Sequence, residues 1–312
     1  MQMSISVDKD FNSRKAELLS YLRFRAIEYL NEIKQEFGER QFRQRATAIN
    51  RALAKEKQQL AAVIRQNAGR EDWQTDSILR ANLLLMHCTN VVMLESRNDV
   101  WPYDYMAFSR RIGELWEPFV TTCFDYPIRK DVTLFIPPLF EEIRKRLTNE
   151  VRDFIQGLNI SREDKEQLLR YYDQVWHLVT SGEIKLELDL HFSIEGTRYV
   201  VDCKSGFGSN EKGNTNRLLL VASIYQHIEP EDYRCLLLVR APEDENNHYL
   251  QILKGSDLWE VYCGAETYPK VLEYSGFDLG GWMHENVTWM DDVSPQFRNS
   301  LEQNDLVKYL TW

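Results

Sequence analysis

The sequence predicts a mixed α/β protein: a central mixed β-sheet flanked by helices and preceded by a helical N-terminal region. Two observations predict it. Apolar residues recur at helical spacing through the first hundred residues, and the period then changes to two between Glu183 and Lys204. A helical pattern and a further apolar run, "RCLLLVRAP", come after that change, the alternation that packs helices on a sheet. The 312 residues, 43% hydrophobic and 28% charged, suit one large globular domain or two.

Residues 11–70 read as helix. Leu18, Leu19, Leu22, Ala26, Tyr29 and Leu30 keep helical spacing, and "FRQRATAINRALAKEKQQLAAVIRQ" is built of good helix formers without Gly or Pro. "NAGRED" ends it. A second helix fits "TDSILRANLLLMHCTNVVML", capped by Thr75, Asp76 or Ser77. "SRNDVWPYDY" reads as a loop and a boundary, dividing a helical, partly basic region (1–98, a DNA clasp or dimerisation element) from a second domain (101–312). Helices are expected over "YMAFSRRIGELWEPFVTTCF", over 139–155 and over "SREDKEQLLRYYDQVWHLV", the last capped through Ser161 and Asp164.

The next stretch alternates. Ile184, Leu186, Leu188 and Leu190 fall on one face, Lys185, Glu187, Asp189 and His191 on the other. "EG" turns the chain, and Tyr199 to Lys204 returns as the second arm of a hairpin. "NTNRLLLVASIYQHI" is a helix capped by Asn or Thr, "RCLLLVRAP" a buried strand, and "YLQILK" and "WEVYCG" are shorter strand candidates.

Composition narrows the classes. The five cysteines are scattered with no Cys-x-x-Cys pair, which excludes a zinc ribbon and a disulfide framework. The histidines are equally scattered and read as isolated core or surface residues. No apolar run approaches a membrane span and the opening "MQMSISVDKDFNSRK" lacks a signal-peptide stretch, so a cytoplasmic protein without membrane contact is expected. Net charge is −10, yet it is polarised. Residues 39–70 hold eight basic against two acidic residues, while 241–312 hold four basic against thirteen acidic. The acidic end is a poor DNA surface, so Trp282, Trp289 and Trp312 are expected in a core or a subunit interface.

Strand alternation puts Asp202 and Lys204 on one face, and Asp189 on the neighbouring arm can approach them across the hairpin. Two carboxylates and a backbone carbonyl make a hard oxygen site suited to Mg²⁺. A lysine beside them can orient or help deprotonate a water that attacks phosphorus. Glu183 and Glu187 share this polar face and read as surface charge, with Glu187 within reach of the periphery of the site.

Asp189 followed by Asp202-Cys203-Lys204 on the second arm of a hairpin, then a helix and a strand, resembles the PD-(D/E)XK nuclease superfamily, which includes most type II restriction endonucleases. The resemblance covers about residues 105–240. It implies a restriction-endonuclease-like core of a helix, three strands, a helix and a strand, and cleavage of double-stranded DNA with Mg²⁺, for which Mn²⁺ is expected to substitute. By position Asp189 and Asp202 become the metal-binding carboxylates and Lys204 the motif lysine. Cys203 is the variable middle residue, of which only the backbone carbonyl would bind metal. Leu188 stands in place of the eponymous proline. The family often adds a Glu from the first core helix, and Gly113, Trp116 and Glu117 in "RIGELWEPFV" resemble its Gly-x-x-aromatic-Glu pattern. Glu114 lies on the same helix face, and Glu166 and Asp173 are rivals nearer the hairpin.

The loop "SGFGSNEKGNTNR" reads as polar and flexible, with Lys212 and Arg217 at a helix mouth where phosphate is favoured. Asn210, Asn214 and Asn216 are of a type that bonds adenine edges, and Arg40, Arg43 and Arg45 are expected to grip the DNA backbone. The expected function is a Mg²⁺-dependent endonuclease. Its free-standing length without helicase or methylase motifs favours a type II restriction enzyme, acting as a homodimer to match two-fold symmetric DNA. The alternatives are a nuclease of repair, recombination or defence without strict sequence specificity, and a catalytically idle nuclease fold that binds DNA.

Overall fold

The computed structural model describes residues 4–179, 184–227 and 232–312. The N-terminal part is three long helices: α1 (Lys15–Glu36), α2 (Phe42–Glu71) and α3 (Thr75–Val100). The run expected as one helix is thus broken at residues 37–41. Phe37 is extended, and the Arg45 side chain folds back to donate to its carbonyl at 2.6 Å, capping α1 from α2. Good helix formers on both sides hide this break in the sequence; Gly38 is its only local mark.

α3 is longer than expected and absorbs the first half of the stretch read as a loop. It starts at Thr75, and the preceding Gln74 makes no side-chain cap. By length and composition α3 is apolar enough to cross a membrane, but 78% of its most apolar window is buried inside the protein, where it packs as a core helix against α1 and α2. Only residues 101–104 separate it from α4 (Tyr105–Asp125), which Asp104 caps by accepting from the Ala107 N–H at 2.8 Å. Buried residues from both sides of this short connection belong to one hydrophobic core.

A short strand β1 (Thr133–Leu134) precedes α5 (Phe140–Gly157) and α6 (Arg162–Val179). Ser161 caps α6 as the sequence indicates, accepting from the Asp164 N–H at 3.1 Å. Next comes the hairpin: β2 (Leu190–Ile194) and β3 (Thr197–Lys204), antiparallel, with Ile194 opposite Thr197. Glu195 and Gly196 both have positive φ, 50° and 90°, the two-residue turn whose twist matches the strands. α7 (Lys212–His227), β4 (Tyr233–Val239), α8 (His248–Lys254) and β5 (Glu260–Cys263) complete the sheet. α7 begins earlier than the Asn or Thr expected to cap it. "YLQILK" is a helix, not a strand: Leu250 and Leu253, three apart, are both fully buried while Ile252 is 44% exposed. α9 (Thr267–Ser275), α10 (Leu279–Asn286), α11 (Trp289–Asp292) and α12 (Pro295–Gln303) then return to the N-terminal helices.

The five strands lie in the order β1-β2-β3-β4-β5. β1, β2 and β3 pair antiparallel, and β3, β4 and β5 pair parallel. The fold is therefore mixed α/β around a mixed sheet. Two cores cover the sheet. Tyr199, Val201 and Cys203 of β3 face the larger one with α1–α4 and the C-terminal helices; Val200 faces the smaller one with α7 and α8. Trp282 and Trp289 are buried in the larger core, and Trp312 packs on Phe119 and Trp289 while its indole N–H donates to the Ile112 carbonyl at 3.1 Å.

Buried ions fasten the C-terminal segment. Arg23 of α1 binds Glu95 of α3 through two hydrogen bonds of 2.9 and 2.7 Å, and Glu95 also accepts from the Ser294 N–H at 2.5 Å. Asp292 lies 2.6 Å from Lys15 Nζ and 2.7 Å from His87 Nε2. Removing one member of such a pair strands the other away from water. Arg23→Ala should therefore lower stability measurably in urea, by less than the roughly 3–5 kcal/mol of a fully buried pair, because the Arg23 side chain is 33% exposed.

Candidate active site

The hairpin strands part at Asp189. Leu190 pairs with Val201, so the register carried one step on sets Asp189 across from Asp202. One residue further the pattern fails. Leu188 would share the larger core with Cys203, but it packs with Leu186 in the smaller one. The alternation expected from Ile184 to His191 is interrupted here; His191, expected on the polar face, lies opposite Val200 on the face that the smaller core covers and is buried against Phe135 and Tyr225. Burial pushes its imidazole down to about 4, as befits a core histidine. Where the strands separate, the Cys203 N–H donates to Asp189 Oδ2 at 2.6 Å.

Asp202 is 1% exposed at the end of a strand otherwise lined with apolar residues. Lys204, two residues on and on the same face, holds its Nζ 2.6 Å from Asp202 Oδ2. Arg217 comes from the first turns of α7 to within 3.5 Å of Asp202 Oδ1. Lys204 thus pairs directly with Oδ2, while Oδ1 is buried with only the more distant Arg217 beside it. Burial raises the Asp202 carboxyl above its usual range, against the pull of Lys204, and Asp189 adds to the rise. Burial also opposes the Lys204 ammonium, but Asp202 outweighs it and the amine is held above its usual range.

Glu117 approaches from α4. Burial raises its carboxyl; the nearby negative charges of Asp189 and Asp202 add to this, and Lys204 counters it. What brings α4 so near is Gly113, one turn before Glu117. A Cβ there would stand 2.6 Å from Ser205 Cβ and 2.8 Å from its Oγ, immediately after Lys204. Glu114 is turned away, 44% exposed and paired with Arg110 and Arg111. Glu166 is exposed and paired with Arg162, and Asp173 is exposed on the same helix. Glu187 is exposed, and Glu183 lies outside the described residues. Among the described residues no three His, Cys, Asp or Glu side chains gather closely enough to hold a metal by themselves. Cys203 is buried and its thiol is driven well above its usual range by that burial, consistent with a middle residue that offers only its backbone.

The loop after Lys204 is anchored, not free. Phe207 is buried, its N–H donates to Asn246 Oδ1 at 2.7 Å, and the Asn247 N–H donates to the Phe207 carbonyl at 2.9 Å. Asn210, Lys212 and Asn216 are exposed near the α7 entrance, whereas Asn214 donates to Glu211 at 3.1 Å. Arg40, in the break before α2, and Arg43 on α2 are exposed, while Arg45 is occupied with the Phe37 carbonyl. Glu56, one of the two acids in that basic stretch, is buried and accepts from Tyr21 at 2.5 Å, from Tyr29 and from Arg25 at 3.2 Å. The exposed face of α2 is accordingly more basic than the residue count suggests.

This packing has two measurable consequences. Gly113→Ala should cost about 1–3 kcal/mol in thermal or urea unfolding, the usual range for an overpacked contact; Ser205→Gly in the same chain should recover most of it. Glu117→Gln should leave the fold intact and slightly raise Tm at neutral pH. The folded chain holds the Glu117 proton more tightly than the unfolded chain, so ionisation weakens the fold as pH rises from the ordinary carboxylate range through the raised folded value. The gain should vanish below about pH 4, where both forms are neutral.

No family model matches this chain, and no curated protein and no solved structure matches it.

Proposed function

We propose that this chain is a Mg²⁺-dependent endonuclease of double-stranded DNA with a PD-(D/E)XK-like, restriction-endonuclease-like core, of the type II kind. The observation that carries the reading is the convergence of Asp189, Asp202 and Lys204 where the hairpin parts, around a carboxylate that is almost fully buried. The element order supports it: α4, β1, β2, β3, α7 and β4 repeat the helix, three strands, helix, strand of that core, with α5 and α6 inserted after the first strand.

Asp189, Asp202 and the Cys203 carbonyl would hold the cation, a hard oxygen set that suits Mg²⁺. Once bound, the ion stabilises charge on the phosphate oxygens and acidifies the attacking water. The protein's own groups have separate tasks. Lys204, kept protonated by Asp202, points an ammonium at the water or at a phosphate oxygen. Glu117, whose raised carboxyl is the better base, stands to accept the proton that water loses as its oxygen joins phosphorus, while the bond from phosphorus to the leaving ester oxygen breaks and that oxygen takes a proton from solvent. Arg217 binds a non-bridging oxygen once phosphate draws it from Asp202. Two such chains related by a two-fold axis would match the symmetry of duplex DNA and place one site on each strand.

One observation favours a second reading, an idle nuclease fold that binds DNA. Lys204 and Arg217 both already stand beside Asp202, and a carboxylate facing two cations has less need of a metal.

A plasmid incubated with and without Mg²⁺ separates the readings: discrete bands for a site-specific enzyme, a smear for a nonspecific one, no cutting for the idle fold. Asp189→Ala and Asp202→Ala should each abolish cleavage. Lys204→Arg should bind DNA like the parent but lose about a hundredfold or more in the single-turnover rate, the size of a positioned proton-transfer or charge-stabilising group. Cleavage at the parental rate by Asp189→Ala would remove the site assignment.

A further inference from the structure

The helix that brings Glu117 to the site continues outward with the same face. Met106, Arg110, Gly113 and Glu117 recur at intervals of four, three and four residues, which places them in one stripe of α4. Gly113 is pressed against Ser205 and Glu117 looks into the site, but the outer two residues cover nothing. Met106 is 67% exposed and the Arg110 side chain 82%. Met106 leaves a large apolar group in water, and Arg110 is held only by exposed pairing with Glu114, a contact that contributes little.

The surroundings are aromatic and cationic. Tyr105 and Trp101 are exposed at the start of α4, and the Arg97 guanidinium stacks 4.9 Å over the Trp101 ring. Lys57 of the basic helix α2 is close enough to Arg111 that this charge adds to burial in lowering its amine below the usual range. Exposed apolar and aromatic side chains among cations fit nucleic acid, where cations meet phosphate and flat or flexible apolar groups meet sugars and bases.

We infer that the outer stripe of α4, Met106 and Arg110, is a second contact with the DNA duplex, beside the bond that is cut. The inference rests on the nuclease reading and specifies how far the substrate extends. Arg110 is seven residues and Met106 eleven residues from Glu117, about 10 and 16 Å along the helix. At 3.4 Å per base pair that reaches about three and five base pairs from the reacting phosphate. Arg110 exchanges Glu114 for a phosphate, and Met106 rests on the sugar edge of the groove.

The test is the affinity of the full chain for a mixed-sequence duplex of about 30 base pairs as a function of salt. Arg110→Ala should weaken binding about three- to tenfold and lower the log–log salt slope by about 0.9, one phosphate contact; Arg110→Lys should restore the slope. Met106→Ala should weaken binding with the slope unchanged, because it carries no charge. Both positions are exposed, so thermal melts should match the parent. If the parent binds DNA while both alanine variants keep its affinity and slope, the inference is overturned and the nuclease reading stands. A change in the concentration dependence of oligomer size with unchanged DNA affinity would assign the stripe to a second protein chain and overturn it too. A parent that neither binds nor cuts DNA would overturn both.

Discussion

One buried carboxylate organises the carboxyl end of this sheet. Asp202 sits at 1% exposure, and an ion so far from water is tolerated only where opposite charge is brought to it. β3 supplies Lys204 two residues later, because strand geometry returns the chain to the same face. α7 supplies Arg217, because the anchored loop after Lys204 delivers that helix directly above the strand end. Even so, burial keeps the carboxyl raised.

The rest of the molecule holds that site steady. The sheet lies between two helical layers, and the hairpin opens where Leu188 leaves one core for the other. The opening exposes the Cys203 N–H, which Asp189 takes up, and admits Glu117 from α4. α4 can come that close only because residue 113 has no side chain. The helical N-terminal part is not a loose appendage: α3 runs through the main core, and the Lys15–Asp292 pair and the bond from the Ser294 N–H to Glu95 tie it to the C-terminal segment. The long helix α4 therefore has a rigid base, and its exposed end keeps a fixed distance from the site.

Charge is distributed to the same end. Of the acidic residues of the C-terminal segment only Asp292 is buried; most stay on the surface, some in local pairs such as Lys270–Glu273 and Lys308–Asp305. On α2 the acid Glu56 is turned inward and its basic neighbours outward. A net charge of −10 thus coexists with exposed basic residues along α2.

The sequence by itself determined the local geometry: the hairpin at Glu195-Gly196, the shared face of Asp202 and Lys204, the Ser161 cap and the helices with strong periodicity. Each depends on neighbours a few residues apart, where pattern and turn chemistry suffice. It also pointed to Glu117 through Gly113, although the reason, contact with Ser205 ninety-two residues away, was not legible. Tertiary structure decided the rest. The break between α1 and α2 depends on Arg45 folding back on Phe37, the extension of α3 on burial, and the helical state of "YLQILK" on the partners of Leu250 and Leu253. The crossing of Leu188 between cores and the approach of Arg217 to Asp202 depend on how a strand end, a loop and a helix meet. Those contacts join residues distant in the chain, and spacing alone carries no information about which of them will touch.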